Sequence, residues 1–355
     1  MPREERIASL RELEAQRGSR VISYVLSDRE SFPPGVPGLT GMLAVEPQLI
    51  FVDILREIGH TPRLDLLLYT RGGATESVWP LVSVLRQYCD HFAVLVPFRA
   101  HSAGTMICLG ADEVVMTDFA ELSPIDPTTG NQFNPRDPVP PNNQYGISVE
   151  DVVAYFELAK ERVGLKSEAA SIEVFRSLTQ SVHPLALGNV QRVYLLIRRL
   201  ARRLLALHLD ETKNAEHISH IIDGLTTEFF SHLHAIPRIE ANALMGDWVV
   251  APSAEEESAL MKAFDLYVAD LDLGNKFMLP RSMGSESSMA FTFVGAILET
   301  TSRVYECVTE IEASQRVATP GLPPGFPQQQ PIALTPGTPR AYDFAIQSSG
   351  WLDRS

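Results

Sequence analysis

The sequence is poor in cysteine and in long apolar runs. Its 355 residues include three cysteines, Cys89, Cys108 and Cys307, with no C-x-x-C pair. Such spacing excludes a disulfide framework and a cysteine zinc cluster, and it fits a reducing, cytoplasmic setting. The longest uncharged apolar stretches, 100–111 and 287–298, have about half of the ~20 residues that a membrane-spanning helix needs. Neither a membrane span nor a secretory signal is therefore expected.

Basic charge is also scarce. The chain has 30 Lys and Arg against 44 Asp and Glu, which gives a net charge of −14. An acidic surface repels phosphate backbones, so a nucleic-acid partner is not expected. The nucleotide fingerprints G-x-G-x-x-G and G-x-x-x-x-G-K-[ST] are both absent, and no cofactor is predicted. The apolar share of 45% suits a globular chain with a substantial core.

Apolar strands alternate with helices in the first third of the chain. Residues 64–70 and 91–97 are apolar runs of strand length, and 75–88 between them has helical periodicity. A third strand is predicted at 114–117. This alternation indicates βαβ units and a parallel sheet, hence an α/β fold.

The rest of the chain is predicted to be mainly helical. Helices are expected at 149–163, 190–208, 218–233, 258–270 and 291–311. Residues 320–339 hold seven prolines in twenty positions, which is typical of a linker. The predicted organisation is a main domain at 1–275, a C-terminal helical extension at 276–316, a proline-rich linker at 317–340 and an apolar tail at 341–355. The aromatic residues of this tail predict that it docks in a groove, on its own subunit or on a neighbour's.

Two predicted strand ends carry residues that suit chemistry. Gly72 and Gly73 follow the first strand, and paired glycines expose backbone N–H groups that can stabilise an oxyanion. Ser102 follows the next strand and opens a helix, where its hydroxyl and the Ala103 amide would face the same space. Taken singly, these features also suit a tight turn and a helix N-cap. Their occurrence at two neighbouring strand ends favours a catalytic site.

The surrounding motifs resemble a known group of enzymes. TRGGATES at 70–77, AHSAGTMICLGADEVVM at 100–116 and ELSPIDP at 121–127 are similar to the Clp-type serine peptidases and the signal peptide peptidase A group, in particular the serine dehydrogenase proteinase branch. The resemblance runs from about residue 5 to about residue 250. It implies a crotonase-like spiral of βαβ units, to which the helices predicted after residue 149 are added, and homo-oligomers that cleave peptide or protein substrates. It also implies a nucleophile at Ser102 and oxyanion amides at Gly72, Gly73 and Ala103.

The sequence departs from this pattern at two points. Many members of the branch begin with a membrane-spanning helix, and none is seen here. The Clp peptidases have a histidine about 25 residues after the serine, where this chain has Asp126 instead. His232 is then the first candidate for the base, with Asp126 orienting its imidazole. The alternatives for the base are His101, which adjoins Ser102, together with His183, Lys160 and Lys166.

Other functions remain open from the sequence. The chain order Ser102, Asp126, His232 also suits an α/β-hydrolase-type esterase. In that fold the nucleophilic serine lies in a G-x-S-x-G motif, and this chain has Ala100 at the first glycine position. A catalytically silent oligomeric scaffold and an acyl-CoA enzyme on the crotonase fold are further alternatives. His232 and His234 alternate as metal ligands can, with His183 as a third ligand, but no metal site is predicted.

Overall fold

The computed structural model describes residues 3–29, 31–32, 41–126, 128–137, 144–229, 231–317 and 340–355. Its helices are α1 (Arg3–Arg17), α2 (Gln48–Ile58), α3 (Val78–Gln87), α4 (Ala103–Leu109), α5 (Val149–Glu157), α6 (Glu168–Ser181), α7 (Pro184–Leu205), α8 (Ala215–Asp223), α9 (Arg238–Met245), α10 (Ala254–Asp270) and α11 (Leu279–Met283). A 3-10 turn covers Thr75–Ser77, and π-helical turns cover Leu158–Arg162 and Gly224–Glu228.

The strands range from two residues to fourteen, and the longest ones are near the C-terminus. They are β1 (Arg20–Leu26), β2 (Ser31–Phe32), β3 (Thr61–Tyr69), β4 (Cys89–Val96), β5 (Arg99–Ala100), β6 (Glu113–Met116), β7 (Glu121–Leu122), β8 (Thr128–Thr129), β9 (Ile147–Ser148), β10 (Ile236–Pro237), β11 (Val249–Val250), β12 (Phe277–Met278), β13 (Ser288–Glu299), β14 (Val304–Val317) and β15 (Arg340–Asp353). Strands and helices alternate through the first half of the chain, which confirms the predicted α/β class.

The chain divides into two units. The first unit takes Met1–Arg71, Tyr88–Asp90 and Pro252–Ser355, and the second takes Gly72–Gln87 and His91–Ala251. In the first unit β1 pairs with β3 in parallel and with β13 antiparallel, and β14 and β15 follow as antiparallel neighbours. The apolar side chains of β1 are buried, as expected for a strand covered on both faces.

The second unit contains the βα segment that carries the motifs. Strands β4, β6 and β11 pair in parallel, and β5, β7 and β10 form a small separate sheet. Helix α4 is buried along its whole length, because it consists of small and apolar residues only. A helix that is apolar on all sides is stable only in the interior of a protein. The buried α4 therefore anchors the turn that precedes it.

The structure corrects the C-terminal prediction. No helix covers 291–311. In the predicted helical extension at 276–316 the one helix is the short α11, which lies between β12 and the hairpin of β13 and β14. Met289, Phe291 and Phe293 share one face of β13, and the residues between them lie on the other face. Alternation of this kind, together with many β-branched residues, favours a strand.

The predicted apolar tail also has a definite place. Residues 341–353 belong to β15, which pairs with β14 from Tyr305↔Asp353 to Val317↔Arg340, and Trp351 packs near the ring of Tyr24. The tail therefore pairs as a strand with its own chain instead of filling a groove, and Phe344 and Ile346 remain 41% and 56% exposed. Residues 318–339, which include most of the predicted linker, lie outside the described residues.

The structure also bears on membrane insertion. None of the helices in the described ranges combines the length and the apolar character needed to cross a bilayer.

Candidate active site

Ser102 occupies a strained turn between β5 and α4. Its backbone has φ 51° and ψ −111°, values that a residue with a side chain rarely adopts. Ser102 is at the N-cap position of α4, yet its side chain makes no capping hydrogen bond. The hydroxyl is therefore not used to stabilise the helix, which was the ordinary structural explanation for a serine at this position.

Gly72 lies directly against Ser102. A Cβ atom added to Gly72 would be 2.9 Å from Ser102 Cβ, 3.3 Å from the His101 carbonyl oxygen and 3.4 Å from Ser102 Oγ. Gly72 has φ 108° and Gly73 has φ 149°, conformations that favour glycine. The structure thus places Gly72 beside Ser102, and only a residue without a side chain fits there.

Ala103 is the first residue of α4. The first amides of a helix have no partner within the helix and carry its positive dipole end. The Ala103 N–H follows immediately after the turn at Ser102. This is a suitable donor for an oxyanion formed at Ser102.

Asp126 and His232 are 106 residues apart in sequence and in contact in the structure. Asp126 Oδ1 and His232 Nδ1 are 2.9 Å apart. The Asp126 side chain is 5% exposed, whereas that of His232 is 40% exposed. A buried carboxylate thus orients a partly accessible imidazole.

The pair has a defined electrostatic effect. The hydrogen bond to Asp126 raises the pKa of His232 above its usual 6.5, and partial burial opposes this shift. A carboxylate accepts hydrogen bonds, so Nδ1 of His232 carries a proton and the lone pair of the neutral ring is on Nε2. Nε2 is the atom with which His232 can act as a base.

Residues 123–126 connect Asp126 to the Ser102 turn. The Ser102 N–H donates to Ser123 Oγ at 2.8 Å, and Asp126 follows three residues later. Three residues span at most about 11 Å, so Asp126 is held close to the Ser102 turn. In the part of the chain that the structure describes, Ser102 Oγ and His232 share no hydrogen bond; such bonds often tighten only when substrate is bound.

The alternative bases have other partners. His183 caps α7, because its Nδ1 accepts the Leu185 N–H at 3.2 Å, and its ring stacks on Phe133. Lys160 and Lys166 have side chains that are 67% and 65% exposed, and both pair with Glu161. Neither lysine has the desolvated surroundings that a lysine base requires.

The remaining histidines of the motifs point to separate carboxylates. His101 Nε2 is 3.1 Å from Glu121 Oε1, and His234 Nε2 is 3.1 Å from Glu240 Oε2. Across the described residues, no group of three or more His, Cys, Asp or Glu side chains is arranged to hold a metal ion. His232 therefore pairs with Asp126 and His234 with Glu240.

Three residues near the site were not singled out from the sequence. Ser123 and Thr105 are both buried next to the Ser102 turn. The Ser102 N–H donates to Ser123 Oγ, and the Ser123 N–H donates to Thr105 Oγ1. Glu150, on α5, has a raised pKa because of burial and, next, the charge of Asp126. The serine before proline at 123 was visible as part of ELSPIDP, but its hydrogen bond to a residue 21 positions earlier was not.

Comparisons with known proteins support the motif assignment. Residues 2–136 match the family described as ClpP-like SDH-type serine proteinase. The uncharacterized proteins MJ1495 and MJ0137 of Methanocaldococcus jannaschii are each 32% identical over 128 residues, which is 35% of this chain. The match covers 42% and 43% of those two proteins, so it spans less than half of either relative.

Solved structures give weaker likenesses. Two variants of the 1510-N membrane-bound stomatin-specific protease, one of them in complex with a substrate peptide, are 18% and 17% identical, each with a TM-score of 0.25. They cover 38% of this chain and 64% and 61% of their own. A probable enoyl-CoA hydratase/isomerase from Mycobacterium abscessus is 12% identical with a TM-score of 0.20, over 68% of this chain and 86% of its own.

The family match contains most of the site. Gly72, Gly73, Ser102, Ala103 and Asp126 are inside the matched segment, and His232 is outside it. The resemblance drawn from the motifs is thus confirmed for the first part of the chain: residues 2–136 match the ClpP-like SDH-type serine proteinase family.

Proposed function

We propose that the protein is a serine peptidase that forms an acyl-enzyme on Ser102. The observation that carries the proposal is the hydrogen bond between Asp126 and His232. It supplies the oriented imidazole that the sequence lacks at the position where Clp peptidases have theirs. The family match over residues 2–136 supports peptide-bond hydrolysis as the reaction class.

The first half of the reaction uses the serine, the base and the oxyanion donors. Ser102 Oγ attacks the carbonyl carbon of the scissile bond, and His232 Nε2 accepts the hydroxyl proton. The N–H groups of Ala103 and Gly73, with Gly72 leaving the required space, stabilise the negative charge on the carbonyl oxygen. His232 then donates its proton to the amine, which leaves as the C–N bond breaks.

The second half returns the enzyme to its starting state. Water loses a proton to His232 and attacks the acyl carbon, and Ser102 Oγ leaves with that proton. Asp126 stabilises the imidazolium in both halves and keeps Nε2 directed to the reacting atoms. Neither half consumes a cofactor.

Hydrolysis assays with the Ser102→Ala variant test this proposal. We expect the wild type to cleave unfolded casein and Ser102→Ala to have no such activity at an unchanged melting temperature. Cleavage of p-nitrophenyl acetate without cleavage of casein would indicate an esterase instead. Equal casein cleavage by both proteins would contradict the assignment of Ser102, and a folded wild type without either activity would indicate the silent scaffold.

A further inference from the structure

The Ser102 turn rests on two buried hydroxyl groups that the proposed mechanism does not use. Ser123 is 3% exposed and Thr105 is fully buried. The Ser102 N–H donates to Ser123 Oγ at 2.8 Å, and the Ser123 hydroxyl donates in turn to the Pro124 carbonyl oxygen at 3.0 Å. The Ser123 hydroxyl thus has both a donor and an acceptor, with its only hydrogen committed.

Thr105 fixes Ser123 from the other side. The Ser123 N–H donates to Thr105 Oγ1 at 3.1 Å. The Thr105 hydroxyl lies 2.8 Å from the Ala100 carbonyl oxygen and 2.9 Å from the Ser123 carbonyl oxygen. Its hydrogen is shared between carbonyl groups before and after the turn, so Thr105 joins β5 to the 123–126 segment.

This network decides which backbone amide is available beside the nucleophile. The start of α4 has three successive N–H groups, those of Ser102, Ala103 and Gly104. The Ser102 N–H is bound to Ser123, and the Gly104 N–H is bound to the His101 carbonyl oxygen at 2.8 Å. Of three successive amides, Ala103 is the one that these bonds leave for a ligand.

We propose that Ser123 is a positioning residue that holds Ser102 in its strained conformation and withdraws the Ser102 amide from the oxyanion site. The inference rests on the proposed function, because it assigns Ser123 a role in presenting Ser102 Oγ and the Ala103 N–H. Without the Ser123 hydroxyl, the Ser102 amide is unpaired and the turn is free to relax to an ordinary φ. Relaxation moves Oγ and rotates the Ala103 amide away from the carbonyl oxygen.

The rate of fluorophosphonate labelling tests the role. Labelling of Ser102 requires both the nucleophile and the oxyanion donors, and a displacement of about 1 Å costs about 100-fold in rate. For Ser123→Ala we expect a loss of about that size in the maximal labelling rate, with unchanged reversible affinity for the probe. The pH midpoint of labelling is expected to stay unchanged because the contact between Asp126 and His232 remains.

Two further variants make the comparison specific. Ser123→Thr keeps the hydroxyl and should recover most of the wild-type rate. Thr117→Val is the matched control, because the Thr117 hydroxyl is also buried and has the same kinds of partner. It accepts a hydrogen bond from the Phe119 N–H and donates one to the Pro97 carbonyl oxygen. Thr117→Val should label as fast as the wild type.

Amide hydrogen exchange tests the same inference without a variant. In the wild type we expect the Ser102 amide to exchange slowly, because it is hydrogen-bonded to Ser123 Oγ. A labelled wild type with equal rates in Ser123→Ala, or fast exchange at Ser102, would overturn the positioning role alone. A wild type that is protected at Ser102 but never labelled there would instead contradict the proposed function.

Discussion

At the scale of single residues, Ser102, the proposed nucleophile, has a strained backbone conformation. A non-glycine residue in such a conformation costs about 1–3 kcal/mol. We therefore expect Ser102→Gly to have a free energy of unfolding about 1 kcal/mol above that of Ser102→Ala, because glycine relieves the strain and alanine does not. Urea unfolding of both variants measures the difference.

Ser171 provides the control for this comparison. It lies inside α6 with an exposed side chain, so its backbone has ordinary helical angles. There the order should reverse, since glycine in a helix is about 0.5–1 kcal/mol less stable than alanine. The same order at both positions would contradict the strain assigned to Ser102.

The pH dependence of labelling reports on His232. Its pKa is raised by Asp126, and the neutral ring is the proposed base, so labelling should increase with pH and level off above a midpoint higher than 6.5. Asp126→Asn removes the charge that raises this pKa, so the midpoint should move down, and the maximal rate should fall by about 100-fold or more. Rate profiles between pH 5 and pH 9 measure both effects.

The same shift sets the sign of a stability effect. Because the pKa is raised in the folded state, the contact between His232 and Asp126 stabilises the fold most below the unfolded value of 6.5. This contribution is lost as the pH rises through the folded pKa.

Glu240→Gln is the control for the labelling midpoint of Asp126→Asn. It alters the contact of Glu240 with His234 and should leave the labelling midpoint unchanged. A midpoint that Asp126→Asn does not move would argue against His232 as the base.

At the scale of elements, β15 is the third strand of a C-terminal meander. It pairs with β14 along almost its whole length and places Trp351 beside Tyr24. Ending the chain at residue 317 removes these contacts, so we expect a lower melting temperature without faster labelling of Ser102. Differential scanning calorimetry and labelling measure the two quantities. Faster labelling of the truncated chain would show that the tail is autoinhibitory.

The same meander shows where sequence patterns fail. Helices α3 and α10 were predictable because their apolar residues follow a helical period along a single face. The alternation in β13 is interrupted by a register shift between Val294 and Ala296. Residues beyond this shift no longer continue the two-residue pattern, so the apolar run at 287–298 resembles a buried helix.

At the scale of the whole molecule, the exposed apolar helices predict self-association. Helix α6 has no buried residue, and Ile172 and Phe175 are 52% and 53% exposed. Isolated helices of this length are marginal in water, so burial by a second copy would stabilise α6. We expect light scattering to give a multiple of 39.2 kDa, and Phe175→Glu, unlike the neighbouring Ser171→Glu, to shift the mass toward the monomer. A wild type of 39.2 kDa at micromolar concentration would contradict this.

The site was predictable only in part. Gly72, Gly73 and Ser102 were identifiable because each follows an apolar strand, and parallel strands end at one edge of a sheet. The contact between Asp126 and His232 was suggested by resemblance alone, since no local pattern specifies a pair 106 residues apart. Ser123 acts through its side-chain hydrogen bond to a backbone amide, an interaction for which residue spacing gives no signal.

Fluorophosphonate labelling of the full chain, followed by mass spectrometry of the modified peptide, tests whether Ser102 is a nucleophile activated by His232. We expect a single phosphonylated residue, Ser102, with no labelling in Ser102→Ala and much slower labelling in His232→Ala. Modification elsewhere, or labelling of Ser102 at the same rate in His232→Ala, would contradict this assignment.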